Sequence, residues 1–110
     1  IVFRLKSSGQ ALVVVAAGDN RVCERKLAAL LGEKPGRADA DFVRSATGYA
    51  IGGVAPLGHA QPVRLLLDAD LPRFDRIWAA AGTPFAVFAL TPAELAALTG
   101  AAWADLRQET

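Results

Sequence analysis

The 110-residue chain has no methionine and only one each of cysteine, histidine and tyrosine. A single cysteine, Cys23, allows no internal disulfide, so nothing calls for an oxidising compartment. With one cysteine and one histidine, His59, a zinc site would lean on carboxylates, and no ligand pair has helical or knuckle spacing. A Ser-His-Asp triad is also poorly served. Ser7 and Ser8 fall in an expected turn, Ser45 falls on an expected helix, and there is no Gly-x-Ser-x-Gly elbow. No apolar run approaches the roughly 20 residues of a membrane span. The start, "IVFRLK", has neither the length nor the cleavage pattern of a signal peptide. The cytoplasm is the default expectation, and a chain opening on Ile-Val-Phe reads as a fragment that starts inside a strand. An excess of one charge is lacking too. A net charge of +1 excludes a surface that coats polyanions generically. Between positions 20 and 44, Arg21, Arg25, Lys26, Lys34, Arg37 and Arg44 face Glu24, Glu33, Asp39 and Asp41. A solvated mixed-charge face and a small binding patch both fit that balance.

What is present is apolar and globular: the hydrophobic fraction is 53% and the charged fraction 21%, enough for one core and one domain, residues 1–110. "IVFRLK", "SSGQ" and "ALVVVAA" read as strand, turn and strand, the second buried on both faces. "CERKLAALLG" puts Leu27, Leu30 and Leu31 on one helical face, with Gly32 as C-cap. Asp39 can N-cap a second helix, "ADFVRSATG", that buries Phe42 and Val43. "PVRLLLD", "IWAAAG" and "FAVFAL" read as strands. "LTPAELAALTG" is a helix with Thr91 as N-cap, Pro92 at N1 and Glu94 closing a capping box. Strands and short helices mix without strict alternation, so the expected class is α/β or α+β with a mixed sheet.

The segment "TGYAIGGVAPLGH", residues 47–59, combines four glycines and a proline with Tyr49, Ile51, Val54 and Leu57. A flexible linker would be polar, and a strand would not tolerate this much Gly and Pro. The remaining reading is a long ordered loop whose backbone approaches something closely. "GGVAPLG" lacks the Gly-Lys-Ser/Thr ending of a phosphate loop and does not lead from strand to helix as a dinucleotide fingerprint does. Cys23 opens a helix, where a thiol pKa can be lowered, but no histidine lies near it in sequence and an inert role is the expectation. What is left is a site built from backbone N–H groups suited to an oxyanion or an ester carbonyl. A purely structural tight loop stays open beside it.

This loop resembles the signature of the YbaK/ProX aminoacyl-tRNA deacylases, relatives of the editing domain inserted in bacterial prolyl-tRNA synthetases. "KLAALLGEKPGRADADFVRSATGY" is similar to the helix and turn before that loop, "VRLLLDADL" to an aspartate-bearing strand end with Asp68 at the matching position, and "IWAAAGTPFAVFALTPAELAALTG" to the closing hairpin and helix. The resemblance implies a mixed sheet curled into a barrel-like core with short helices around it. It implies hydrolysis of the ester between a wrong amino acid and the 3′ end of a tRNA, without metal or cofactor. Aminoacyl-tRNA is then the expected partner, and an aminoacyl-tRNA synthetase a further candidate. Gly52, Gly53, Gly58 and His59 would shape the substrate site from one side, and Ala80, Gly82 and Thr83 of the "AAAGTP" turn would form another wall. The family's essential lysine falls just before Ile1; Lys6 lies at the other end of that strand. Residues 1–110 alone are therefore expected to bind substrate weakly and to hydrolyse it hardly above background. Ala80 stands where cysteine-specific members carry serine, which points away from cysteinyl substrates.

Of the other conspicuous residues, His59 can orient substrate, touch the tRNA backbone or simply end the loop. Asp68 is expected to support structure, bonding the glycine loop or capping the next turn. Trp78 is expected in the core, Phe85 in the core or at the pocket mouth, and Trp103 as an anchor of the tail. Two other functions compete: a non-catalytic module binding tRNA or a protein, and a DNA-binding regulator. The weak charge excess and the absence of a helix-turn-helix argue against the regulator.

Overall fold

The computed structural model describes residues 1–109; Thr110, the last residue of the expected domain, lies outside them. The expected mixed α+β class is what forms. Strands β1 (Val2–Leu5) and β2 (Ala11–Val15) make an antiparallel hairpin, and β3 (Pro35–Arg37) adds to the outer side of β1. On the other side, β4 (Arg64–Asp68) and β7 (Ala102–Ala104) run parallel to β2 and to β4 respectively, giving the order β3-β1-β2-β4-β7. Strands β5 (Ile77–Ala80) and β6 (Val87–Leu90) form a separate antiparallel ribbon. The sheet is open rather than closed, which corrects the barrel-like expectation.

Helices α1 (Glu24–Leu31), α2 (Ala40–Thr47) and α3 (Pro92–Thr99) flank the sheet. On one face, Leu27 of α1 packs with Leu5, Leu12, Val14 and Leu106. On the opposite face, Leu95 of α3 packs with Leu67, Leu71, Ala79 and Leu90, which anchors the β5–β6 ribbon. Strand β2, central and apolar on both faces, separates the two clusters. Leu30 departs from expectation at 54% exposure, because α1 has only one row in contact with the sheet. Helix α2 buries Val43, whereas Phe42 is half-buried beneath Arg4, whose guanidinium lies 5.1 Å from the ring centre.

The helix ends follow their local chemistry. The Asp39 carboxylate accepts from Phe42 N–H at 2.8 Å. Thr91 Oγ1 accepts from Glu94 N–H at 3.1 Å, and Glu94 Oε1 accepts from Thr91 N–H at 2.8 Å, completing the expected capping box. Those bonds, led by the backbone donor, hold the Glu94 carboxyl below its ordinary pKa.

In an antiparallel ribbon, alternate residues face opposite ways. Ile77 and Ala79 turn to the core with Phe88 and Leu90, so Trp78 turns out and is 66% exposed, contrary to the core expectation. Phe85, in the connection of the ribbon, is 96% exposed and belongs to neither core nor cavity wall. Trp103 sits on β7 at the sheet edge and pairs with Leu67 of β4.

Candidate functional site

A cavity of about 460 Å³ opens over the face of the sheet that carries α2. Val2, Val13 and Val15 point to that face by strand alternation and register, and form its floor. Val43 of α2 forms one wall, Ile51, Gly52, Val54 and Pro56 a second, and Trp78 to Ala80 of β5 a third. No lining residue carries an ionisable side chain. The volume lies toward the small end of ligand sites.

The second wall belongs to the glycine-rich loop, which its own side chains hold in shape. Buried Thr47, at the end of α2, donates to Val43 O at 2.6 Å and accepts from Tyr49 N–H at 3.1 Å. The Tyr49 hydroxyl spans the loop and donates to Leu57 O at 2.8 Å. A Cβ on Gly58, which has φ 75°, would sit 2.8 Å from that hydroxyl oxygen. His59 Nε2 donates to Ala55 O at 2.8 Å, which fixes the proton on Nε2, and its ring stands edge-on to Tyr49. The imidazole thus closes the loop upon itself, and His59 does not line the cavity.

The apolar character of this loop follows from those contacts. Its N–H groups are another matter. From Ala50 to His59, only the Gly53 N–H donates to a protein acceptor among the described residues, reaching Ala50 O at 2.9 Å. The N–H groups of Ile51, Gly52 and Val54, all residues of the cavity wall, have no acceptor among the described residues.

Gly53 serves packing. A Cβ there would lie 2.4 Å from Thr83 C and 2.6 Å from Thr83 Cα, so two backbones touch at this point. Gly53 has no positive φ; close approach alone requires glycine. Gly82, on the same turn, lies against the Tyr49 ring. The structure therefore sorts the expected site residues into three groups. Gly52 and Ala80 line the cavity; Gly53, Gly82 and Thr83 lock loop to turn behind it; Gly58 and His59 brace the loop. Sequence reasoning passed over Val43, Ile51, Val54, Pro56 and Trp78 as lining residues and Tyr49 as the central brace. The tyrosine's position between two glycine clusters was the available signal.

Asp68 lies at the far end of β4, 2% exposed. Its carboxylate accepts from Ala17 N–H at 3.0 Å, Asn20 Nδ2 at 2.9 Å and Asp70 N–H at 2.9 Å. It thus caps the following turn and ties down the connection after β2, without reaching the glycine loop. Asn20 also donates to Asp70, and this bond is the leading cause of a lowered Asp70 pKa.

Cys23 is the N-cap residue of α1, but its side chain makes no capping bond. Serine at this position has an oxygen acceptor for the first-turn N–H groups. Cys23→Ser should therefore raise stability by about 0.5–1 kcal/mol, seen as a higher Tm, and, in a form that carries the upstream lysine, change any hydrolysis by no more than a few-fold. A large loss of hydrolysis, matched by thiol alkylation, would instead make the thiol a nucleophile.

The aminoacyl-tRNA editing domain matches residues 1–98 of this chain. Uncharacterized protein YwhH of Bacillus subtilis (strain 168) is 34% identical over 98 residues, 88% of this chain and 62% of that protein. The chain thus spans less than two thirds of that relative. Among solved structures, one described as "a putative trans-editing enzyme for prolyl tRNA synthetase" superposes with a TM-score of 0.93 at 44% identity, covering 99% of this chain and 68% of that one. Hypothetical protein APE2540 superposes with a TM-score of 0.88 at 29% identity, covering 98% of this chain and 71% of its own. With its open mixed sheet, braced glycine loop and matching neighbours, the chain belongs to the aminoacyl-tRNA editing domain family.

Proposed function

We propose that this chain forms the substrate pocket of a deacylase that hydrolyses the ester of a wrongly charged tRNA, acting apart from the synthetase. The carrying observation is the small cavity walled by a braced loop whose Ile51, Gly52 and Val54 N–H groups have no acceptor among the described residues. An amino-acid side chain fits among Val2, Val13, Val43 and Val54, and the ester carbonyl faces the loop. As water adds to that carbonyl, negative charge develops on its oxygen, and fixed N–H donors at Gly52 and its neighbours stabilise it. Gly53, Gly82 and Thr83 keep those donors in place without touching substrate.

The absence of ionisable side chains from the lining bears on the other half of the chemistry. Ile1 and Val2 border the cavity, so a lysine immediately before Ile1, as the resemblance to YbaK/ProX proteins implies, would stand at its rim. Lys6, beside the turn at the opposite end of β1, does not line the cavity. The same observation favours a second reading, a module that binds the aminoacyl end without cleaving it.

One assay separates them. Release of labelled amino acid from mischarged tRNA is measured for residues 1–110, for a form extended upstream to include the lysine, and for that form with alanine replacing it. Only the lysine-bearing form should release amino acid well above the spontaneous rate. No release by any form would overturn the deacylase reading in favour of the binding module. Equal release by all three would place the chemistry within residues 1–110.

A further inference from the structure

We infer that Arg4, Lys6 and Arg37 form a track for the phosphodiester backbone of RNA, running along the sheet away from the cavity. The inference rests on the deacylase reading for what enters the cavity, and on separate observations for the track.

Strand alternation puts Val2, on the cavity floor, and Arg4 on one face, and Lys6 continues that row past the strand end, while Arg37, opposite Phe3 on the edge strand β3, starts from the other face and borders the groove at the sheet edge. Successive members of such a row are about 6.6 Å apart. Arg4, Lys6, Gly36 and Arg37, with the turn from Ser7 to Gly9, line a groove of about 630 Å³. Its shape depends on Gly36, since a Cβ there would come within 3.2 Å of Lys6 Cγ and 3.0 Å of Arg4 O. Lys34, whose carbonyl accepts from Lys6 N–H, stands on the same sheet edge, next to β3.

At the other sheet edge, cations are consumed: Lys26 pairs with Asp105, Arg73 with Asp19 and Arg107 with Asp70. Arg4, Lys6 and Arg37 form no ion pair among the described residues. Glu33 is held against the same turn by Ser8 N–H, the Ser8 hydroxyl and Ser7 N–H at 2.9–3.1 Å, bonds that keep it ionised, so the groove sets three cations against one anion. Three cations thus line one groove at the end of the strand whose Val2 lies on the cavity floor. A polyanion anchored by its 3′ end in the cavity fits that arrangement, with guanidinium and ammonium groups meeting successive phosphates.

The test measures binding of a fluorescent RNA acceptor-stem hairpin ending in CCA to the 110-residue chain over a range of salt concentrations. The R4Q/K6Q/R37Q variant should bind at least about tenfold more weakly, and its slope of log K against log salt should be shallower by about two to three. The charge-matched variant R21Q/R25Q/R76Q should bind within about twofold of the parent. Equal losses in the two variants, or no binding by the parent, would overturn the track. If R4Q/K6Q/R37Q does not fold, R4Q and K6Q singly should each lower the slope by about one, and unchanged slopes would overturn it equally. Salt-dependent binding through these residues, with no amino-acid release by the lysine-bearing form, would sink the deacylase reading and leave the track standing.

Discussion

Gly53→Ala is expected to cost about 1–3 kcal/mol of stability and, in the lysine-bearing form, to lower deacylation about 100-fold or more. The atoms a new methyl group would meet are Thr83 C and Cα and Pro84 N, all within 2.7 Å and all main chain. No rotamer change relieves that overlap. Loop and turn must separate, and displacing the Gly52 and Val54 donors by about 1 Å is enough to lose an oriented transition state. Gly53→Val, with two more methyl groups, should abolish turnover while leaving the fold recognisable by circular dichroism. Gly18→Ala is the control, since a Cβ there meets nothing within 4 Å. Wild-type turnover by a folded Gly53→Ala would remove the loop from the mechanism.

Asp68→Ala carries the largest expected loss of stability, about 2–4 kcal/mol, or a Tm lower by roughly 10–20 °C. The carboxylate is buried and accepts three hydrogen bonds from two segments, around Ala17 and around Asp70. Alanine leaves the buried Ala17 N–H without a partner and frees Asn20 from one of its two anchors. Because the network lies away from the cavity lining, the folded fraction should keep its hydrolysis near the parental rate. Thermal melts and specific activity at low temperature check the two halves. An unchanged Tm would show that solvent replaces all three bonds.

Local signals made much of this fold legible. The β-branched run from Leu12 to Val15, the Asp39 cap and the Thr91–Glu94 box each act through neighbours in sequence, and each forms as read. Strands β3 and β7 were illegible because three residues such as Pro35-Gly36-Arg37 become a strand only by pairing with β1. Trp78 misled because a large aromatic in an apolar strand suggests burial, whereas alternation against Ala79 decides its side. The glycine loop was legible as a close approach, but its partner, the turn at Thr83, lies 30 residues away and was reached only through the family resemblance, as a second wall and not as the backbone that Gly53 touches. The cationic groove escaped for the same reason. Arg37 is remote from Arg4 and Lys6 in sequence and joins them only through the β1–β3 pairing.

The separateness of the β5–β6 ribbon has a bearing on substrate choice. One cavity wall is joined to the rest by side-chain packing of Ile77, Ala79, Phe88 and Leu90, with no ladder of hydrogen bonds to the main sheet. Packed contacts repack in small steps, while a hydrogen-bonded register moves in whole residues. The width available to an amino-acid side chain is therefore set partly behind the wall. A methylene added or removed at Ile77, Phe88 or Leu90 would shift the ribbon bodily and alter which amino acids enter, with every lining residue unchanged.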